Sequence, residues 1–130
     1  MNDIQHIASP GSFKTPPLSA ATRFGDLLFI SATPGYYADG SIDEDEFDKQ
    51  FDQAVAALRQ VLVAAGGSMR SLLKVNVLLT RQQDVVSMNL RYAEAFGPAP
   101  YPARTTSIVM SLPDPRMLLE IECVGRTSGS

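Results

Sequence analysis

The stretch FDKQFDQAVAALRQVLVAAGGSMRSLLKVNVLLT, residues 47–80, changes its apolar period halfway along, and that change decides the fold class. Phe47, Phe51, Ala54, Val55, Leu58, Val61, Leu62 and Ala65 recur at steps of three and four, which lays one apolar stripe along a helix. Gly66-Gly67 then stops it, because glycine readily takes the left-handed conformation that closes a helix. Over Ser71 to Thr80 the period falls to two. Leu73, Val75, Val77 and Leu79 share one face of a strand, and Leu72, Lys74, Asn76 and Leu78 share the other.

Upstream of this core, Asp43 with Glu46 three residues on forms a capping box for the helix. Before it, Thr33 to Gly40 is a loop, with Tyr36 and Tyr37 as possible pocket residues or edge packing. Leu18 to Phe24 and Leu27 to Ala32 read as strands joined by a tight turn at Gly25-Asp26. Met1 to Pro17 is an irregular lead-in, broken by Pro10, Gly11, Pro16 and Pro17, with room for a short edge strand. Downstream, Val85, Met88, Tyr92 and Phe96 predict a second helix over Asp84 to Phe96, closed by Gly97-Pro98. Two strands follow, Ala103 to Leu112 and Met117 to Val124, around the turn Pro113-Asp114-Pro115-Arg116. The tail Gly125 to Ser130 is expected to be disordered.

The predicted order is β-β-α-β-α-β-β, an α+β fold in one domain spanning residues 1–130, with both helices on one face of the sheet. Two helices cover only one face, yet Leu27-Leu28-Phe29-Ile30 and Leu72 to Leu79 are apolar on both. The expected cover is another copy of the chain, so the reading includes a homo-oligomer.

Composition excludes several chemistries. The 130 residues include one His, one Cys and no Trp, so a histidine-based nucleophile triad or a clustered zinc site has too few members. A lone Cys123 excludes a disulfide framework within one chain and reads as a small buried hydrophobe. The net charge is −3 and the pI about 5.0, with arginines and lysines scattered singly, so nucleic acid is not an expected partner. Apolar runs are too short for a membrane span, the N-terminus lacks a signal-peptide pattern, and a cytoplasmic location is expected. No phosphate-cradling glycine motif occurs, and no cofactor or metal is called for; the acidic run Asp43 to Asp48 most simply serves the helix start.

Few residues remain to carry chemistry. Arg104 opens a strand after the proline-rich loop 98–102, on the face of Thr106 and Ile108. An arginine there can grip a carboxylate through two parallel N–H groups, although on chemistry alone a surface arginine at a strand end is the plainer reading. Glu120 and Glu122 alternate with Leu119, Ile121 and Cys123, so both carboxylates lie on the face away from the helices. Covered by another copy, one of them becomes a general base; uncovered, they are solvated glutamates. Asn89 reads on its own as a helix-surface amide.

Taken together, Val86-Ser87-Met88-Asn89-Leu90-Arg91-Tyr92, Pro102-Ala103-Arg104-Thr105, Leu112-Pro113 and Leu119-Glu120-Ile121-Glu122 resemble the Rid (reactive intermediate deaminase) family, also called YjgF. Phe24 to Ser31, Ala64 to Gly67 and Leu73 to Leu79 add to the resemblance, which runs from about Ser9 to Val124. It implies a chorismate-mutase-like fold, a homotrimer with a central barrel, and clefts between subunits. The implied activity is cofactor-free hydrolysis of 2-imino or 2-enamine acids, such as 2-iminopropanoate, to a 2-keto acid and ammonia. The carboxylate-binding arginine falls on Arg104 and the water-positioning acid on Glu120; Asn89 and Ser31 fall on pocket positions. The chain departs from the family pattern at Leu18, Thr33 and Thr106, and carries about one extra residue between Leu112-Pro113 and Glu120. These departures touch the pocket wall. They keep two alternatives open: a deaminase dedicated to an aminomuconate- or aminoacrylate-type intermediate, and a non-catalytic trimer that binds small carboxylates.

Overall fold

Six strands form one mixed sheet in the order β1-β2-β3-β6-β4-β5, and two helices lie across one of its faces. The computed structural model describes residues 3–9 and 16–128. The elements are β1 (Gln5–Ile7), β2 (Ala21–Phe24), β3 (Leu27–Thr33), α1 (Phe47–Ala65), β4 (Leu72–Leu79), α2 (Val85–Phe96), β5 (Ala103–Ile108) and β6 (Leu119–Arg126). Short 3-10 turns precede β4 and α2. Neighbouring strands run antiparallel except β4 and β5, which are parallel and joined through α2.

The periodicity of residues 47–65 is borne out along the whole of α1. Phe47, Phe51, Ala54, Val55, Leu58, Val61, Leu62 and Ala65 are all buried, and they meet Leu28, Val75, Val77, Leu79, Leu119 and Ile121 from the sheet. Met88, Tyr92 and Phe96 bring α2 into the same core. Gly66 ends α1 with φ 88°, a left-handed value, while the Gly66 and Gly67 N–H groups cap the carbonyls of Val63 and Leu62.

Several boundaries move. The lead-in does contribute an edge strand, β1, which pairs with β2; its expected breaks at Pro10 and Gly11 lie outside the described residues. Leu18 to Ala20 lie ahead of β2, and the hairpin turns at Gly25 (φ 61°) as expected. The Asp43 capping box is not formed. Glu46 is the cap residue and makes no side-chain cap bond, while the Asp43 carboxylate accepts from the Tyr37 hydroxyl at 2.5 Å. On β4 the register slips by one residue between Leu72 and Lys74, so Leu72 turns into the core and Leu73 turns out, the reverse of strict alternation. β5 ends at Ile108, and the expected strand over 109–112 is part of the connection to β6. β6 runs on through Gly125 and Arg126, and Thr127 and Ser128 donate to the carbonyls of Asp26 and Gly66, so the tail is ordered up to residue 128; residues 129–130 lie outside the described ones.

The loop after β3 is held tightly to the first helix. Gly35 passes against α1 so closely that a Cβ there would lie 2.4 Å from the Gln50 carbonyl oxygen. A helix backbone cannot yield as a side chain can. Gly35→Ala is therefore expected to destabilise the fold by about 1–3 kcal/mol. The check is a lowered urea midpoint with an unchanged slope at fixed protein concentration.

Candidate functional site

Glu120 and Arg104 sit on opposite faces of the sheet. Leu119 and Ile121 are fully buried beneath the helices, so Glu120 between them points to the other face, opposite Leu78 on β4. Arg104 pairs with the buried Val75 and points to the helix side, where it meets α2. A sheet and two strand spacings of about 4.8 Å separate the two side chains, so one copy of the chain cannot bring both to one small molecule.

Glu120 is 9% exposed and lines a cavity of about 360 Å³ with Leu18, Ser31, Thr33, Tyr36 and Met117. The irregular step in the β3–β6 register between Ile30 and Thr33 puts an extra residue on β3 there. The Ser31 hydroxyl donates to the Ser19 carbonyl at 2.6 Å and the Thr33 hydroxyl to the Ser31 carbonyl at 2.8 Å. Both protons are committed to the wall, which leaves hydroxyl lone pairs for a ligand. Among the described residues no cation lies within ion-pair distance of Glu120. Burial, and secondarily the charge of Glu122, raises the Glu120 pKa above its ordinary value. Glu122 faces elsewhere: its Oε1 accepts from Asn76 at 2.8 Å, and it lines a separate hollow with Lys74 and Phe29.

The guanidinium of Arg104 lies with its carbon 4.7 Å from the centre of the Tyr92 ring, and Nη1 is 3.9 Å from the Met88 sulfur. Tyr92 in turn stacks on Phe96, with ring centres 4.2 Å apart. A cation resting on a ring face keeps its N–H edges free. Arg70, Arg81, Arg91 and Arg116 all donate to protein oxygens, whereas these contacts of Arg104 are a ring and a sulfur. Thr106, two residues on along the same face, has a buried hydroxyl with no partner, as has Tyr92. Burial pushes the Tyr92 phenol up to about 12. Asn89 is exposed on α2, next in sequence to Met88 and three residues before Tyr92.

The sequence-derived residues therefore fall into two groups on the two sides of the sheet. Leu18, Ser31, Thr33 and Glu120 line one cavity. Arg104 and Thr106, with Asn89 near by on α2, belong to the other side of the sheet. Sequence reasoning missed Tyr92 and Met88 as the support of Arg104. It also missed Gln50, fully buried, which bonds the backbone at Asp43, Arg116 and Leu118. The signal for Gln50 was available: a polar residue on the apolar stripe of α1, next to Phe51 and three residues after Phe47.

Comparison with known proteins places the chain in a family. The model of the Endoribonuclease L-PSP family matches residues 12–126. The chain belongs to this family, also known as YjgF or Rid. It is 32% identical over 109 residues to the chloroplastic Reactive Intermediate Deaminase A of Arabidopsis thaliana, a match covering 83% of this chain and 57% of that protein. It is 36% identical to a RutC family protein of Pyrococcus horikoshii, covering 83% and 85% of the two chains. Among solved structures, a Rid family protein of Yersinia pestis superposes with a TM-score of 0.88 at 27% identity, covering 96% of this chain and all of that one. Other relatives carry mitochondrial names, and no described helix here is long and apolar enough to cross a membrane.

The raised Glu120 pKa has a definite sign for stability. The folded state disfavours the ionised form that the unfolded chain accepts freely, so this carboxylate lowers stability as pH rises through its folded pKa. Glu120→Gln is expected to raise Tm at neutral pH, with the gain shrinking as pH falls into the ordinary glutamate range. Thermal scans across that range check it, and a gain independent of pH contradicts the burial argument.

Proposed function

We propose that the chain is a cofactor-free hydrolytic deaminase of 2-imino and 2-enamine acids, working as a homotrimer whose clefts join the Arg104 side of one copy to the Glu120 side of the next. The observation that carries this reading is a pair of opposite charges on opposite faces of one sheet, neither in an ion pair among the described residues. Neither half is a site by itself, and juxtaposing two copies completes one. The family and its named deaminase relative support the same reading.

In the proposed reaction Arg104 binds the substrate carboxylate through its free N–H edges. That fixes the protonated imine carbon near Glu120, which accepts a proton from water as the oxygen attacks that carbon. The tetrahedral adduct holds the hydroxyl and the amine on one carbon. Glu120 returns the proton to the nitrogen, the C–N bond breaks to release ammonia, and the hydroxyl proton passes through Glu120 to that ammonia as the carbonyl forms. The sum is iminium acid plus water giving keto acid plus ammonium. An enamine enters after protonation at its terminal carbon. Asn89, Ser31, Thr33, Thr106 and Leu18 shape the cleft around these steps.

The family description also names an endoribonuclease. The net charge of −3 and the buried carboxylate of Glu120 disfavour a polyanion in this cleft. A carboxylate-binding module without turnover retains Arg104 as well, so turnover decides between the two.

Imino acids generated from amino acids by an oxidase provide the assay. The protein is expected to accelerate keto acid formation; Arg104→Ala is expected to abolish the acceleration, and Glu120→Gln to lower kcat more than it raises KM. Keto acid bound at Arg104 without any acceleration would leave the binding module. Mixing the two variants and allowing subunits to exchange is expected to restore about one quarter of the clefts, because each cleft draws its Arg and its Glu independently from different copies. No recovery in the hybrids would contradict a shared cleft.

A further inference from the structure

We propose that Tyr36, Asp114 and Arg116 form a clamp that sets how large a side chain the Glu120 cavity admits. This inference rests on the reading of that cavity as a carboxylic acid site. The clamp joins two segments far apart in sequence, the loop after β3 and the connection between β5 and β6. The Tyr36 hydroxyl donates to Asp114 Oδ2 at 2.6 Å. Arg116 holds the same carboxylate, with Nη2 2.7 Å from Oδ2 and Nε 3.1 Å from Oδ1, and its guanidinium carbon lies 5.9 Å from the Tyr36 ring centre. The Arg116 N–H donates to Asp114 Oδ1 at 2.9 Å, which fixes the turn itself.

The backbone on either side is pinned as well. Gln53 of α1 donates to the Tyr36 carbonyl at 3.1 Å, and Gln50 donates to the Arg116 carbonyl at 2.9 Å. Beneath the clamp, Ile42, Leu112 and Met117 form a small second core on which Tyr36 and Leu78 pack. Tyr36, Pro113 and Met117 then line the cavity that holds Glu120. The part of the wall made by Tyr36, Pro113 and Met117 is thus held by the clamp, whereas the main core supplies Ala20 and Val61 to the same cavity. Burial and the Asp114 carboxylate push the Tyr36 phenol up to about 12, and the Arg116 fork and Tyr36 hydroxyl hold Asp114 well below the usual carboxylate range, so the clamp keeps its protonation state across the neutral range.

Two keto acids test the clamp on the full chain without requiring turnover. Pyruvate has a methyl side chain, whereas 4-methyl-2-oxopentanoate adds three carbons to fill the apolar wall. Each buried methylene strengthens binding about fourfold, so the larger acid is expected to bind the wild type at least roughly tenfold tighter by calorimetry. Tyr36→Phe removes one hydroxyl and no volume that packs. It is expected to cut that preference by about threefold or more while the pyruvate Kd stays within about twofold, and Asp114→Asn is expected to follow it. A preference unchanged in both variants overturns the clamp, as does equal weakening of the two acids or no binding of either by the wild type. A wild type that binds with this preference but hydrolyses no imine removes the deaminase reading and leaves the clamp standing. Turnover with an unaltered preference does the reverse.

Discussion

The side-chain amide of Gln50 is fully buried and bonds three backbone groups: it donates to the Asp43 and Arg116 carbonyls and accepts from the Leu118 N–H. Both of its N–H donors are used, inside a helix stripe that is otherwise apolar. An aliphatic side chain would pack there but would leave the Arg116 carbonyl and the Leu118 N–H without the partner they have here, at about 1–3 kcal/mol each, while the Asp43 carbonyl would keep the Glu46 N–H. The cavity depends on this one amide. Asp43 closes the loop that carries Tyr36, and Arg116 and Leu118 lead into β6 two residues before Glu120, so α1 holds both walls in register with the acid. Gly35 is the consequence on the other side, since the loop can cross the Gln50 carbonyl only without a side chain.

The separation of Arg104 from Glu120 follows from the same framework. Side by side in one copy they would neutralise each other: the ion pair would depress the carboxyl pKa and occupy the N–H edges that a ligand carboxylate needs. On opposite faces, each keeps its charge unanswered. Glu120 lies in a cavity that raises its pKa, and Arg104 lies on a ring that holds the guanidinium plane, with one N–H turned to the Met88 sulfur and none to an oxygen. The chain thereby stores two incompatible half-sites on one rigid sheet, and association converts them into a whole one in the proposed assembly. Between them, the middle of the open face is polar, with Asn76 bonded to Glu122 and Lys74 to Thr105, while Leu27 and Phe29 remain nearly half exposed beside it.

Much of this was legible in the sequence, and the failures have local causes. The α1 stripe was readable because an apolar face of nineteen residues sustains its period with no competing signal. Leu72 and Leu73 were assigned to the wrong faces because a bulge is a property of the pairing, not of either strand alone. The end of β6 was misread at Gly125, a residue that usually ends strands. Here it pairs with both Leu28 and Leu72, and a Cβ would lie 3.1 Å from the Ser71 carbonyl. Arg104 and Glu120 were singled out through the motifs around them, and alternation gave Glu120 its face. The clamp was not found, because Tyr36 and Asp114 are 78 residues apart and each has an ordinary local role, one in a loop and one in a turn.

The scarcity of histidine takes on a chemical meaning in this setting. A general base works best with a pKa near the working pH, and imidazole is the side chain that supplies one without help. A glutamate reaches toward that range only when burial disfavours its charge, which requires a cavity with apolar walls and no cation near the carboxylate. Among the described residues both conditions hold at Glu120. In the proposed reaction the same walls limit the water that reaches the imine, so the acid that accepts the proton from the attacking water also returns it to the departing nitrogen. In the proposed reaction the protonated imine is already electrophilic, and the remaining tasks, anchoring a carboxylate and moving one proton, match the two half-sites. In that proposed reaction Gln50 and the clamp therefore belong to the chemistry as much as to the fold, since they hold walls of the cavity whose burial raises the Glu120 pKa.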